Sequence, residues 1–212
     1  MAYRTTPKMA MRKEAHRTKL LRTAVRLFAR WGYHATTVPM IVKESGSSTG
    51  SFYFYFRNKE DLFAVALESF GKRLTGALNA ATAAAGEDPL LQLKASVMRL
   101  ALLMSLNPDE ARVFFVESSG LSRRLAQIRR DIIDGHARTV ELALQGFASV
   151  VPPLTSEVIA RCWIGAVYEA MLHWLGQPPD KRHPTRVIAE TISAFNLRGI
   201  GTREQSRPER QG

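Results

Sequence analysis

The chain has 212 residues, 45% of them hydrophobic and 23% charged, with a formal net charge of +11, which is the composition of a globular protein with a sizeable core. No uninterrupted apolar run reaches the roughly 18 residues of a membrane span, no apolar stretch follows residues 3–8 as a secretory leader requires, and the lone Cys162 excludes an internal disulfide and a multi-cysteine zinc site. Residues 1–60 hold twelve Lys and Arg against Glu14, Glu44 and Glu60, a balance of +9, while the remaining 152 residues balance at +2, so the charge fits either a polyanion-binding head on a near-neutral body or a merely soluble basic face.

In chain order, residues 1–12 read as a basic, mobile arm. From Lys13 a helical period begins, with Leu20, Ala24, Leu27, Phe28 and Trp31 on one face and Arg22, Arg26 and Arg30 opposite. Gly32 stands where a C-cap glycine would end that helix. Thr37 caps a short helix with Pro39 in its first turn and Ile41 and Val42 turned inward. Ser45-Gly46-Ser47 breaks the chain, and Ser48 caps a second short helix through Tyr55. Asn58 caps a third, with Asp61 at N3 in the manner of a capping box. Helix, glycine turn and helix within residues 37–56 make a helix-turn-helix. The rest is read as helical, over about 60–85, 89–106, 109–118, 121–149, 155–176 and 184–198, with Pro152-Pro153 and Pro178-Pro179 punctuating the last two gaps. Residues 201–212 are polar and expected to be disordered. The expected fold class is therefore all-α. A three-helix DNA-binding domain spans 13–60, a helical-bundle ligand-binding and dimerisation domain spans 61–200, and 1–12 and 201–212 are flexible tails.

A helix seated in the DNA major groove needs small or polar residues at its N-terminus, where base edges approach, and donors beside it for phosphates. Ser48, Thr49, Gly50 and Ser51 meet the first need. Tyr53, Tyr55 and Lys59 meet the second, Lys59 at the head of a helix whose open N–H groups favour a phosphate. Thr37 is a further phosphate candidate. Five consecutive aromatics, Phe52 to Phe56, cannot all face inward on one helix. Phe52 and Phe56, four apart, are assigned to the core, and Tyr53, Phe54 and Tyr55 to the DNA side.

The run Gly32-Tyr33-His34-Ala35-Thr36-Thr37-Val38, then Ile41, Lys43-Glu44-Ser45-Gly46, Gly50 to Phe56 and Asn58-Lys59-Glu60-Asp61-Leu62 resembles the tetracycline-repressor (TetR) family over about residues 15–65, without a gap. The resemblance implies DNA contacts at Thr37, Ser48, Thr49, Gly50, Ser51, Tyr53, Phe54, Tyr55 and Lys59, with phosphates held by Thr37, Tyr53 and Lys59. Ser47 departs from the family, which usually has a buried Val there. Thr49 often corresponds to Lys or Gln, and Phe54 to His or Trp, so the operator sequence is not legible.

The resemblance further implies that the last two long helices pair with those of a second subunit. The 155–176 segment is apolar almost all round, and a helix with two apolar faces needs two partners. The dimer-interface candidates are Val158, Cys162, Ala166, Ala170, Trp174, Ile188, Ile192 and Phe195. Ligand-pocket candidates are polar or adaptable residues within apolar periodicity: Met98, Leu102, Phe114, Glu117, His136, Tyr168, Glu169 and His173. Arg123, Arg124, Arg129 and Arg130 either attract an anionic ligand such as an acyl thioester or form a solvated face.

No nucleophile elbow, P-loop, dinucleotide fingerprint or His-carboxylate cluster is present, so no enzyme, metal or cofactor is expected. The expected protein is a cytoplasmic, ligand-responsive regulator, a repressor that binds a palindromic double-stranded DNA operator as a homodimer and is released by a small apolar or amphipathic effector. The rivals are a DNA-coating protein without sequence preference and an activator of the same fold.

Overall fold

In the computed structural model, which describes residues 7–145 and 155–200, every regular element is a helix. They are α1 (Pro7–Ala35), α2 (Val38–Ser45), α3 (Thr49–Tyr55), α4 (Lys59–Ala84), α5 (Pro89–Leu106), α6 (Pro108–Arg112), α7 (Arg123–Gln145), α8 (Ser156–Gly176) and α9 (Thr185–Gly199). A widened π-type turn, Val113–Glu117, continues α6, and a 3₁₀ turn, Pro179–Lys181, precedes α9. The tails at 1–6 and 201–212, the end of the 121–149 segment and the Pro152-Pro153 break lie outside the described residues. Residues 7–12 are not an arm but the first turns of α1. Met9, Ala10, Met11, Arg12 and Lys13 all favour helix, and proline is tolerated at a first helical position because its missing N–H is unpaired there anyway.

The chain divides into two units, one built from residues up to Arg73 with Leu106–Asp131, the other from Leu74–Ser105 with residues from Ile132 onward. The division thus falls within α4, thirteen residues beyond the boundary expected at residue 60, and the segment around α6 returns to the first unit. That segment carries Val113, Phe114 and Phe115, all buried, in a unit whose other large side chains are Leu20, Phe28, Ile41, Phe52, Phe56, Phe63 and Phe70. Phe28 meets Phe63 edge-on at 4.9 Å and Phe70 meets Phe114 at 5.4 Å. Aromatic burial on this scale, at roughly 1.5–3 kcal/mol per side chain, offsets the chain entropy of so small a head. Trp31 was placed on the core face by periodicity, yet it is 52% exposed with Arg30 over its ring. Trp31 stands at the end of the stripe, one residue before the backbone leaves helix at Gly32 (φ 81°, ψ 165°).

In the second unit α5 buries Leu93, Val97, Leu100, Ala101 and Met104. It is long and apolar enough to cross a membrane by length and composition, with mean hydropathy 1.3. Its Lys94 and Arg99 are exposed while its apolar stripe is buried within the unit, as a core helix requires. Helix α8, capped by Thr155, buries Trp163, Ile164, Val167, Tyr168, Met171, Trp174 and Leu175 and packs on α9.

Candidate functional site

Local signals set the helix-turn-helix. Thr37 Oγ1 accepts the Met40 N–H at 3.4 Å and starts α2. Gly46 ends it in the left-handed region (φ 61°, ψ 31°), its N–H reaching the Lys43 carbonyl while that of Ser47 reaches Val42. Only glycine takes that conformation without strain. Ser48 Oγ accepts the Ser51 N–H at 3.1 Å and starts α3 two residues after the glycine. Phe52 and Phe56 are buried and anchor α3 from below. Ser48, Thr49, Gly50, Tyr53 and Phe54 are exposed, Ser51 and Tyr55 are half-buried, and Thr37 is exposed at the head of α2. Phe54, 67% exposed, and Tyr53, 56% exposed, are large aromatic side chains facing water. That is unusual for a monomer's surface and suits a groove or partner.

The first turns of α1 brace this face. His16 Nε2 lies 3.2 Å from Ser51 Oγ, and its ring stacks on Tyr55 at 5.9 Å. Lys13 sits over the Phe54 ring at 5.5 Å and Arg17 over Phe56 at 5.7 Å. None of these three stood out in the sequence, because the period of α1 shows its core face and says nothing of which cations reach α3. Lys8, Arg12, Lys13, Lys19, Arg22, Arg26, Arg30, Lys43 and Arg57 are exposed in the same unit. They give it a positive surface of the kind that draws in a phosphate backbone.

Lys59 is the exception to the expected roles. Its Nζ donates to the carbonyls of Tyr33 (2.7 Å), Thr36 (2.8 Å) and His34 (3.4 Å), and lies 4.2 Å from the Tyr33 ring centroid. An ammonium has three donors, so this one ties the end of α1 to the start of α4 and does not project toward a phosphate. Burial lowers its pKa, and burial with the nearby Glu60 raises that of Tyr33. The capping box expected behind it forms: Asn58 Oδ1 accepts the Asp61 N–H at 2.8 Å, and Asp61 accepts from Arg57 N–H.

Residues 20–66 match the family model described as "Bacterial regulatory proteins, tetR family". Over that stretch this chain is similar to the TetR family. The regulator YxaF of Bacillus subtilis is 53% identical over 57 residues, which are 26% of this chain and 30% of that one. Over a longer stretch, the regulator YdgC of Bacillus subtilis is 28% identical across 157 residues, 71% of this chain and 76% of that one. The fatty acid degradation regulator FadR from Bacillus halodurans superposes with a TM-score of 0.77 at 20% identity, over 89% of this chain and 97% of its own. AibR, solved with isovaleryl coenzyme A and operator DNA, gives 0.72 at 18% identity over 85% and 97%. The relatives and the fold are those of transcription regulators, not of enzymes.

The second unit contains a cavity of about 340 Å³ among α4, α5, α7 and α8. Leu93, Val97, Leu100, Trp163 and Val167 give it apolar walls, and Asn79, Gln92, His136, Thr139 and Tyr168 add neutral polar groups. His136 is 4% exposed, with Nε2 2.9 Å from Thr75 Oγ1 and Nδ1 2.5 Å from the Tyr168 hydroxyl. Burial draws its pKa down to about 4.

Of the ligand-pocket candidates, His136 and Tyr168 line this cavity and the other six do not. Glu169 is exposed because it sits about 100° round the helix from Tyr168. His173 is exposed beside Gln177, Leu102 is exposed, and Met98 is half-buried one position past the inward Val97. Phe114 and Glu117 belong to the first unit. Phe114 packs on Phe70, and the Glu117 carboxylate pairs with Arg112 at 3.6 Å and lies beside Gly32, where a Cβ would come within 3.2 Å of it. Arg123, Arg124, Arg129 and Arg130 do not line the cavity either, and Arg124 pairs with Asp61 at 3.2 Å.

Of the interface candidates, Val158, Cys162 and Phe195 are exposed, Phe195 at 69%, while Ala166, Ala170 and Ile188 are half-buried. Trp174 and Ile192 are buried inside the protomer, and Trp174 Nε1 donates to the His183 carbonyl at 2.9 Å. Among the described residues, no three His, Cys, Asp or Glu side chains gather as a metal site would need.

Proposed function

We propose that this regulator is a repressor that binds a palindromic operator as a homodimer and is released when a small molecule enters the cavity of its second unit. The observation that carries this reading is the face of α3. Small polar residues and two uncovered aromatics stand on a helix fixed by a glycine turn, in a unit whose surface is positive. Thr49 and Gly50 are the positions for close approach to base edges, and Ser51 is held in place by His16. Tyr53 and Thr37 flank them as phosphate donors. The aromatics Phe54 and Tyr55 supply apolar contact, for which a thymine methyl is one fit.

The uncovered Val158, Cys162 and Phe195 on α8 and α9 support a second copy as partner, since exposed apolar side chains on adjacent helices seek cover. Two such heads reading half-sites one helical turn apart, about 34–36 Å, favour a palindrome. Helix α4 runs from the Lys59 clamp at one end to cavity residues Leu78, Asn79 and Thr82 at the other. A ligand that tilts it shifts head spacing, and a 100-fold loss of DNA affinity asks only about 2.7 kcal/mol of differential binding. That AibR was solved with both an acyl coenzyme A and operator DNA supports the pairing of functions.

The test is selection of a duplex from a randomised pool, followed by fluorescence anisotropy at fixed near-physiological salt. Enrichment of a palindrome bound by two chains is the expected result. Salt-sensitive binding with no enriched sequence overturns it in favour of a DNA-coating protein.

A further inference from the structure

We propose that the cavity between α4, α5, α7 and α8 takes an electrically neutral, largely apolar small molecule with one hydrogen-bonding oxygen, an alcohol or ketone, and rejects carboxylates and coenzyme A thioesters. This rests on the reading above that the cavity is the effector site, and adds to it the chemical class.

Three observations converge. First, no Asp, Glu, Lys or Arg lines the cavity. An ionised ligand would leave water without meeting a counter-charge, which costs far more than burying a neutral oxygen that finds a hydrogen bond. Second, most of the polar wall is already committed to backbone. Thr82 Oγ1 donates to the Asn79 carbonyl, Ser96 Oγ to Leu93, Thr139 Oγ1 to Gly135 and the Gln92 amide to Gly86. A ligand meets these side chains mainly through their carbons. The hydrogen-bonding chemistry offered to a ligand is therefore concentrated at the Tyr168 hydroxyl, backed by His136, and at the Asn79 amide, with the apolar Val97, Leu100 and Trp163 in the same wall.

Third, His136 is built to stay uncharged. It is buried, and both ring nitrogens are engaged by hydroxyl groups, which serve a neutral imidazole equally well as donor and acceptor. With a pKa near 4, turning it into an imidazolium partner for a carboxylate at pH 7 would cost about a thousandfold in affinity. Size agrees. About 340 Å³ lies at the low end of the roughly 300–1,000 Å³ of small-molecule sites, enough for a short apolar compound and not for a coenzyme A moiety.

The test titrates the full chain at pH 7.5 with 1-decanol, decanoate and decanoyl coenzyme A, which share one chain and differ in charge. Trp163 lines the cavity and reports occupancy by its emission, with thermal midpoint as a second readout; Trp163→Phe identifies the signal against Trp31 and Trp174. The expected result is half-saturation by 1-decanol at a concentration at least tenfold below decanoate and decanoyl coenzyme A. Tyr168→Phe, which keeps the shape and removes the hydroxyl, is expected to weaken 1-decanol about tenfold. Val97→Phe, or Leu100→Phe should the first variant not fold, fills the cavity and is expected to abolish binding. Decanoate or decanoyl coenzyme A binding as well as 1-decanol, with binding lost in the filled variant, overturns the neutral-ligand inference and leaves the cavity as effector site. If none of the three binds, or if binding survives the filled variant, both the inference and the reading beneath it fall.

Discussion

The two units of this chain solve opposite problems. The first unit exposes the residues proposed to face DNA, Thr49, Gly50, Tyr53 and Phe54, on a helix whose ends are set by contacts a few residues apart, Ser48 to Ser51, Gly46 to Lys43 and Asn58 to Asp61, with His16 of α1 reaching across to Ser51. The cavity hides its working residues and draws them from four helices, so that His136 meets a hydroxyl 61 residues before it and another 32 residues after it. Sequence likeness to known regulators is dense over a short stretch, 53% across 57 residues, and thins to 28% across 157. The difference teaches that a face built from neighbours in sequence can be read from consecutive residues, whereas a cavity walled by four helices leaves no such run.

That contrast can be broken or sharpened by experiment, and the largest effect should come from the buried side. His136 has a folded pKa near 4 against about 6.5 when unfolded. Above pH 6.5 both states are neutral and its full contribution is present. As pH falls from 6.5 to 4 the unfolded chain takes up the proton first, and stability is lost, on the order of 3 kcal/mol by pH 4. The difference between wild type and His136→Gln in urea midpoints from pH 4 to 7.5 isolates this slope from the carboxylates. A wild type with no steeper slope than the variant would show the imidazole to be hydrated in the native state. Next comes Thr49→Asp, which sets a negative charge where base edges approach. Operator affinity should fall about 100-fold, 2.7 kcal/mol, with 1-decanol binding unchanged. Loss of both would show that the two sites are not separable.

Lys59→Met should come third. It removes the donor to the Tyr33 and Thr36 carbonyls, keeps the stem, and is expected to cost about 2 kcal/mol. Amide exchange should quicken around Gly32–Thr36 more than in α8. A large drop in DNA affinity at unchanged stability would instead return the ammonium to phosphate. The smallest effect is a gain. Ser47 Oγ is buried and has no partner among the described residues. Ser47→Val replaces an unsatisfied hydroxyl with a methyl and should raise the thermal midpoint by about 2–4 °C, near 1 kcal/mol. No change in midpoint would mean that water satisfies the hydroxyl.

The head was legible because its signals are chemical and local. Thr37, Gly46, Ser48 and Asn58 each declare a helix end, and five consecutive aromatics force a choice of faces that Phe52 and Phe56 resolve. What escaped there were relations a single periodicity does not encode: the clasp of His16 on Ser51, the inward turn of the Lys59 ammonium, and the exposure of Trp31 just before the glycine break. The cavity was legible only at His136 and Tyr168, polar residues inside apolar stripes. Its remaining walls are leucines, valines and a tryptophan, which look the same in sequence whether they touch each other or surround a space. Glu169 and His173 show the cost of that ambiguity, since one or two positions along α8 rotate a side chain from the cavity wall to water. The same holds for Trp174 and Ile192, apolar residues on helices with two apolar faces, which turn into the protomer's own core.

The Thr75–His136–Tyr168 chain has one property that follows from its bonding alone. Both nitrogens of a neutral imidazole are engaged, so one must give a proton and the other receive one, and the chain has a direction. Either Tyr168 donates toward Thr75 through the ring, or Thr75 donates toward Tyr168. The two arrangements share their heavy-atom positions and differ in tautomer, so the wall of the cavity can reverse its polarity at Tyr168 without moving. A ketone, which only accepts, selects the arrangement in which Thr75 gives and the Tyr168 proton points outward. An alcohol fits either one. A single rigid pocket can in this way greet acceptors and donors of one shape alike, its breadth set by where two protons rest.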